Sequence, residues 1–296
     1  MGTSSDLGDF LRTRRARLRP EDVGLVSYGA RRVPGLRREE LAQLAGISPT
    51  YYTRLEQGQS NNASDSVLEA VARALRLNED ERLHLRNLAR PAARQRRSAR
   101  RPEMARVGTR RLVSAITGAP VLALDRRNDV LAWNTLGHAL MAGHLDIDAP
   151  SRPADRPNTT RMLFLDPHTR ELHSRWQEEA RRAVASLRLV AGQHPDDRRL
   201  AELVGELSMR STEFAALWSR HPVRSCAYGT KHYHHPTVGA MELAFEMLHV
   251  PDGSGQRLLM LSGAGPGSPS QAALDLLQAS WLGPRTVGDA HGSRTP

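Results

Sequence analysis

Between residues 37 and 58 the chain reads RREELAQLAGISPTYYTRLEQG, and its apolar positions fall at helical spacing in two short runs. Leu41, Leu44 and Ala45 stand at i, i+3, i+4 and predict a helix with one inward stripe. Gly46 follows where helices often end in a left-handed residue, and Ile47 fills the crevice behind it. Ser48 is an N-cap residue and Pro49 sits at N1, where a missing N–H costs nothing, so a second helix starts there. That helix runs to Gly58, with Tyr52 and Leu55 turned inward. Two short helices around a sharp turn are the layout of a helix-turn-helix, whose second helix enters the DNA major groove.

The flanks complete a small all-α domain over residues 1–90. Residues 6–18 predict a helix with Leu7, Phe10, Leu11 and Leu18 on one face and Arg12, Arg15 and Arg19 off it. A long connection over 20–36 holds Arg31, Arg32, Pro34 and Gly35 and is expected near the DNA backbone. Ser64 caps a fourth helix over 64–76, whose stripe is Val67, Leu68, Val71 and Leu75. Asn78 and Glu81 form a capping-box pair opening a fifth helix, with Leu85 and Leu88 inward.

Beyond residue 90 the pattern changes twice. Residues 91–109 are poor in large apolar side chains and read as a basic linker. From 110 to 282 a second domain follows: a helix over 110–117, then a hairpin in PVLALDRRNDVLAWN with its turn at Arg126–Asp129. Helices are expected at 134–142, 160–165, 168–191 (one long helix), 196–208 and 211–220. Strands follow at 223–233, 239–250 and 256–262, then a helix over 269–282 and a disordered polar tail, 283–296. In the middle strand Met241, Leu243 and Phe245 alternate with Glu242, Ala244 and Glu246, as a half-buried antiparallel strand requires. Two strands, a helical insertion and three strands make an α+β domain of PAS-like type.

The surplus positive charge is local. The net charge is +10; residues 1–90 hold 15 Arg against 12 acidic side chains, and residues 91–111 hold 8 Arg against Glu103. From 112 onward the two signs balance. This distribution suits a polyanion-binding front end joined to a neutral domain. Forty-one of the 42 basic residues are Arg, which points to a GC-rich bacterial coding sequence. A single cysteine, Cys226, fits a reducing cytoplasm, and MGTSSDLGDF has no secretory pattern. No apolar run is long enough to span a membrane, so no membrane partner is expected.

EELAQLAGIS…YYTRLEQG resembles the helix-turn-helix of the lambda-repressor-like (XRE) bacterial regulators. The Tyr-Tyr pair and the GLRREELA lead-in resemble the branch that carries an MmyB-like ligand-binding domain. VLAWN (130–134), FLDP (164–167), LVGELSMRSTEFAALWSRHPV (203–223), GTKHYHHPTVG (229–239) and PGSPS (266–270) are similar to that domain. The resemblance implies a transcriptional regulator whose sensor domain binds a small apolar molecule, with fatty acids the ligands of the family.

On the second helix the outward positions are Ser48, Thr50, Tyr51 and Arg54. Arg54 can fork onto guanine, and Thr50 can donate to a base edge or pack on a thymine methyl. Arg37 and Arg38 are expected on phosphate, where contacts position without specifying; Arg31 and Arg32, and Asn61 and Asn62, have a weaker claim. The expected ligand-facing set is Trp133, Leu163, Phe164, Trp176, Phe214, Trp218, Met241, Phe245 and Met260. The competing reading is that these residues are ordinary core. A fatty-acid head group would need a polar anchor, for which Lys231, Arg161, Asn134 and Tyr233 are the candidates.

His232 and His234 share a strand face and raise a metal question, but neither Cys nor an acidic residue stands beside them, and a solvated strand end explains them better. GAGPGSP (263–269) lacks dinucleotide spacing, and no G-x-S-x-G, H-E-x-x-H or P-loop pattern occurs. Neither catalysis nor a cofactor is expected. The reading is a cytoplasmic regulator that binds a double-stranded operator as a homodimer, with the linker coupling ligand to DNA. Its rival is a DNA-binding protein whose second domain is a protein-interaction module.

Overall fold

The computed structural model describes residues 3–25, 35–59, 63–89, 103–251 and 254–281. Arg31, Arg32, Asn61, Asn62, most of the basic linker and the tail expected at 283–296 lie outside these residues. In chain order the helices before the first strand are α1 (Thr3–Arg17), α2 (Arg38–Ala45), α3 (Pro49–Glu56), α4 (Asp65–Ala74), α5 (Glu79–Ala89) and α6 (Val107–Ala115). Strands β1 (Val121–Leu124) and β2 (Val130–Trp133) precede α7 (Thr135–Ala142), α8 (Thr159–Leu165), α9 (Pro167–Leu172), α10 (Trp176–Gln193), α11 (Arg198–Arg210) and α12 (Thr212–Ser219). Strands β3 (Tyr228–His235), β4 (Gly239–His249) and β5 (Arg257–Ser262) lead to α13 (Pro269–Trp281).

Two compact units result, and they do not follow chain order. The first gathers the described residues of 1–101, 160–166 and 177–226; the second gathers those of 102–159, 167–176 and 227–296. The helices of 177–226, which the sequence pattern places with the sheet, therefore group with the N-terminal helices. Apolar packing is one reason: Val223 belongs to the core of α1–α5, and Leu189 packs against it.

In the first unit local chemistry sets the helix ends as the sequence predicts. Gly46 is left-handed (φ 66°), its N–H reaches Gln43 O (3.1 Å), and Ile47 N–H reaches Ala42 O (3.0 Å), closing α2 with a Schellman turn. The Ser48 hydroxyl accepts from Tyr51 N–H (3.1 Å) to open α3. Asn78 and Glu81 cap α5 reciprocally, Asn78 N–H on Glu81 Oε2 (3.1 Å) and Glu81 N–H on Asn78 Oδ1 (2.9 Å). The stripe of α2 differs by a small rotation: Leu41, Ala42 and Ala45 are buried, while Leu44 is 37% exposed. Two alanines there let neighbouring helices approach closely, so the bulkier Leu44 faces out.

The second unit is built on one antiparallel sheet of order β2-β1-β5-β4-β3. Asp125 Oδ1 accepts from Arg127 N–H (2.7 Å) and Asp129 N–H (2.9 Å), and Asn128 is left-handed (φ 72°), which folds the β1–β2 turn where it was expected. The single helix expected over 168–191 is two helices. At the break His173 bridges Tyr233 and Ser174 N–H donates to His232 O (3.2 Å), so β3 takes backbone groups that the helical ladder would have used. At the other margin Val130 N–H donates to Pro157 O (2.8 Å) and Asp129 bridges Asn158. Cys226 lies ahead of β3 rather than within a strand.

Candidate nucleic-acid interface and ligand site

Helix α3 presents Ser48, Thr50 and Arg54 to solvent while Tyr52 and Leu55 are buried beneath it. Tyr51 is only half-turned outward: it is partly buried and packs on the core. No ion pair holds the Arg54 guanidinium among the described residues, so it is available to a base edge. Arg37 is exposed as well.

Beneath this surface sits a buried charged group. The Glu56 side chain is 0% exposed, and Arg15 Nε meets its Oε1 at 2.7 Å while Arg38 Nε meets Oε2 at 2.7 Å. Arg15 also donates to Leu36 O (2.7 Å), tying α1 to the segment that enters α2. These two guanidiniums hold the Glu56 carboxyl below its ordinary range against the opposing effect of burial. The same carboxylate and burial push the neighbouring Tyr52 hydroxyl upward. Arg38 thus has a structural partner, with 42% of its side chain still exposed toward solvent.

The expected ligand-facing residues fall into two sets. In the second unit, register puts Trp133, Leu122, Leu259, Leu261, Met241, Phe245, Lys231 and Tyr233 on one face of the sheet. Trp133 Nε1 is satisfied by Ile147 O (2.7 Å), and the Lys231 ammonium lies 4.8 Å from the Phe245 ring centre. The Arg170 guanidinium covers Trp176 (4.0 Å). Met260 pairs with Val121 and Glu246 and packs with α6, so strand parity removes it from this face. Asn134 is no anchor either: Oδ1 accepts from Val121 and Gly137 N–H, and Nδ2 donates to Ile116 O and Ala119 O, which uses its whole capacity.

The other set lies in the first unit. Phe164 meets Phe214 edge-on (5.1 Å), and Phe214 stacks on Trp218 (5.6 Å). Arg161 is engaged by Glu206 (2.8 Å), which also accepts from Arg210 (2.9 Å). His232, the metal candidate of the sequence, faces Glu242 at 3.7 Å. No group of three metal-ligating side chains forms among the described residues.

Comparison with known families places both halves. The MmyB-like transcription regulator ligand binding domain matches residues 105–277, more than half the chain. The chain belongs to the MmyB-like transcription regulators. A helix-turn-helix domain matches residues 6–85 of this MmyB-like regulator, and a search of the curated proteins finds no match. Both matched domains are those of DNA-binding transcription regulators, one of them a ligand-binding domain. No helix among the described residues is long and apolar enough to cross a membrane.

In the MmyB-like regulator the two matched segments meet inside the first unit, at residues that motif reading passed over. Arg14 of α1 is 4% exposed; it pairs with Glu81 (2.7 Å) and donates to His221 O (2.7 Å). Arg188 of α10 donates to His221 Nδ1 (3.0 Å) and to Trp218 O. A guanidinium can only donate, so that ring nitrogen carries a lone pair. His84 of α5 is buried, edge-on to Phe10 (5.1 Å), with Gly192 of α10 so close that a Cβ there would lie 2.5 Å from the imidazole. The signal was present in the sequence, since Arg14 continues the stripe Leu7, Phe10, Leu11 at i+7.

This cluster should make the folded chain lose stability in acid. Burial first, and then Arg188 and Arg14, hold the His84 imidazole down at about 3. Burial and Arg188, opposed by Asp9 and joined by Arg14 and Arg17, hold His221 at about 4. As pH falls below about 6.5 the unfolded chain takes up protons that the folded chain refuses, so stability falls with pH. The loss approaches roughly 1.4 kcal/mol per pH unit for His84 and is smaller for the half-buried His221. Denaturant midpoints between pH 7 and 5 should fall more steeply for the wild-type chain than for His84→Asn; parallel slopes would contradict the assignment.

Proposed function

We propose that the protein is a sequence-specific, XRE-type regulator of transcription in the cytoplasm of a bacterium. Helix α3 reads a double-stranded operator, and a PAS-like C-terminal domain senses a small apolar ligand of fatty-acid type. What carries the DNA half of this reading is the exposure of Thr50 and Arg54 on a capped helix whose other face is buried. Arg37 and the exposed part of Arg38 supply phosphate contacts beside it, and Arg31 and Arg32 are proposed for the same role. Supporting the sensor half are the matched ligand-binding domain, the strand order β2-β1-β5-β4-β3 with its helical insertion, and the shared sheet face of Trp133, Tyr233, Met241 and Phe245. Lys231, on that same face, is the proposed head-group anchor. Two copies bound as a homodimer would read half-sites about one helical turn apart.

Genome-wide mapping of bound sites, followed by fluorescence anisotropy on the strongest one, tests the DNA half. Arg54→Ala should lose about 1–3 kcal/mol of discrimination between that site and a version with one base pair changed under α3. An unchanged ratio of affinities would remove Arg54 from base reading. Mass spectrometry of the natively purified chain tests the sensor half. A recurrent acyl species supports it, whereas a stoichiometric co-purifying protein supports the interaction-module reading instead.

A further inference from the structure

We propose that the C-terminal end of α12 is the element through which an occupied ligand site is felt by the DNA-binding helices. The proposal rests on the ligand-sensing reading above but takes the first unit's candidate ligand residues, Phe214 and Trp218, as the ones a guest touches, so every contact it uses lies inside the first unit. Helix α12 is short and carries two of the candidate ligand residues, Phe214 and Trp218, on one side. It ends at Ser219, and His221 just beyond it adopts a left-handed backbone (φ 49°) that a non-glycine residue rarely takes. The last carbonyls of a helix lack intrahelical donors and carry the negative end of its dipole.

Three arginines converge on that end. Arg188 of α10 donates to Trp218 O and lies 3.8 Å over the Trp218 ring. From α1, Arg17 donates to Arg220 O (2.6 Å) and Arg14 to His221 O (2.7 Å). Asp80 of α5 adds a fourth tie by accepting from Ser225 N–H (2.9 Å). Arg14 is itself fixed to α5 through Glu81, so α1 and α5 hold the end of α12 together. Charge-assisted bonds of this kind are short, directional and roughly twice as strong as neutral ones.

One short helix therefore has aromatic side chains at its flank and clamped carbonyls at its tip. Close-packed interiors transmit displacement rather than absorb it. A guest pressing on Phe214 or Trp218 must stretch the arginine bonds or carry α1 with it. The far side of α1 touches α3 at Gly8, where there is no room for even a methyl group against the Glu56 carbonyl. Displacement of α1 thus arrives at the recognition helix. The coupling runs through folded contacts between the two matched segments, not through the basic linker alone.

A double-mutant cycle in the full chain, read as operator affinity by anisotropy, tests this. Phe214→Leu perturbs α12 from its aromatic side, while Arg17→Ala together with Arg188→Met removes two of the three arginine ties at its tip; none of these residues is among those proposed to touch DNA. Phe214→Leu should shift the operator Kd at least fivefold in the wild-type background and less than twofold in the released background. No shift in the wild-type background, or equal shifts in both, overturns the proposal. Should the released chain fail to melt cooperatively, Arg17→Ala alone completes the cycle, because its bond is at the surface, and the shift should then be reduced by at least half. Palmitate, followed by tryptophan fluorescence and operator affinity, separates the two readings. A cycle that shows coupling while palmitate changes neither signal removes fatty-acid sensing and keeps the α12 route; palmitate that changes both while the cycle is flat removes the route alone.

Discussion

Glu56→Ala should destabilise the N-terminal helices by about 3–5 kcal/mol, because it strips a fully buried carboxylate from two guanidiniums that were placed to meet it. Arg15 is the chief loser. Its guanidinium sits between α1 and α3 and would be left buried without a counter-charge, whereas Arg38 can turn to solvent. Glu56→Gln should recover only part of the loss, since an amide keeps hydrogen bonding but not charge. In thermal unfolding of the full chain the alanine variant should melt roughly 6–20 °C below wild type, given about 2–4 °C per kcal/mol for a unit of this size. A shift under about 2 °C would mean that water or Tyr52 replaces the carboxylate at little cost. The contribution is also pH-dependent. With Glu56 held below its ordinary value it is complete above about pH 4.5 and is lost as pH falls through the lowered value.

Gly8→Ala is the second large effect, and its sign runs against helix propensity. Alanine in a helix interior is favoured over glycine by about 1 kcal/mol. A Cβ at Gly8, however, would lie 2.0 Å from the Glu56 carbonyl oxygen, a backbone atom that cannot rotate away. Helices α1 and α3 would have to separate, at an overpacking cost of roughly 1–3 kcal/mol or more. Operator affinity should fall along with stability, because the displaced partner is the recognition helix. Gly205→Ala is the matched control. It sits inside α11 with nothing within 4 Å of the added methyl, so it should stabilise the chain slightly. Equal melting temperatures for the two variants would show that α1 and α3 adjust freely.

These effects explain which parts of the protein were legible in its sequence. Local signals read true where a residue acts on its own backbone: Gly46, Ser48, Ser64 and the Asn78–Glu81 pair end helices as their chemistry demands. The alternation in β4 and the β1–β2 hairpin were equally plain. The single helix expected over 168–191 was broken by β3, a partner some sixty residues away that no local periodicity reports. The grouping of 177–226 with the N-terminal helices was hidden for the same reason. Yet a trace of it stood in the sequence: Arg14, Glu56 and Arg188 each occupy a position that continues an apolar stripe. Charged side chains at core positions mark the joins, and apolar periodicity by itself passes over both the Glu56 pair and the clamp on α12. Of the residues expected to face a ligand, strand parity gathers Trp133, Tyr233, Met241 and Phe245 on one sheet face and excludes Met260.

The interruption that splits α9 from α10 has a consequence of its own. Outermost strands are normally where one molecule recruits another, edge to edge, and where fibrous aggregation begins. Here Ser174 N–H occupies the His232 carbonyl of β3 and Pro157 O occupies the Val130 N–H of β2, so neither margin is an unbroken template. Concentrated solutions should therefore resist strand-by-strand growth at these two margins.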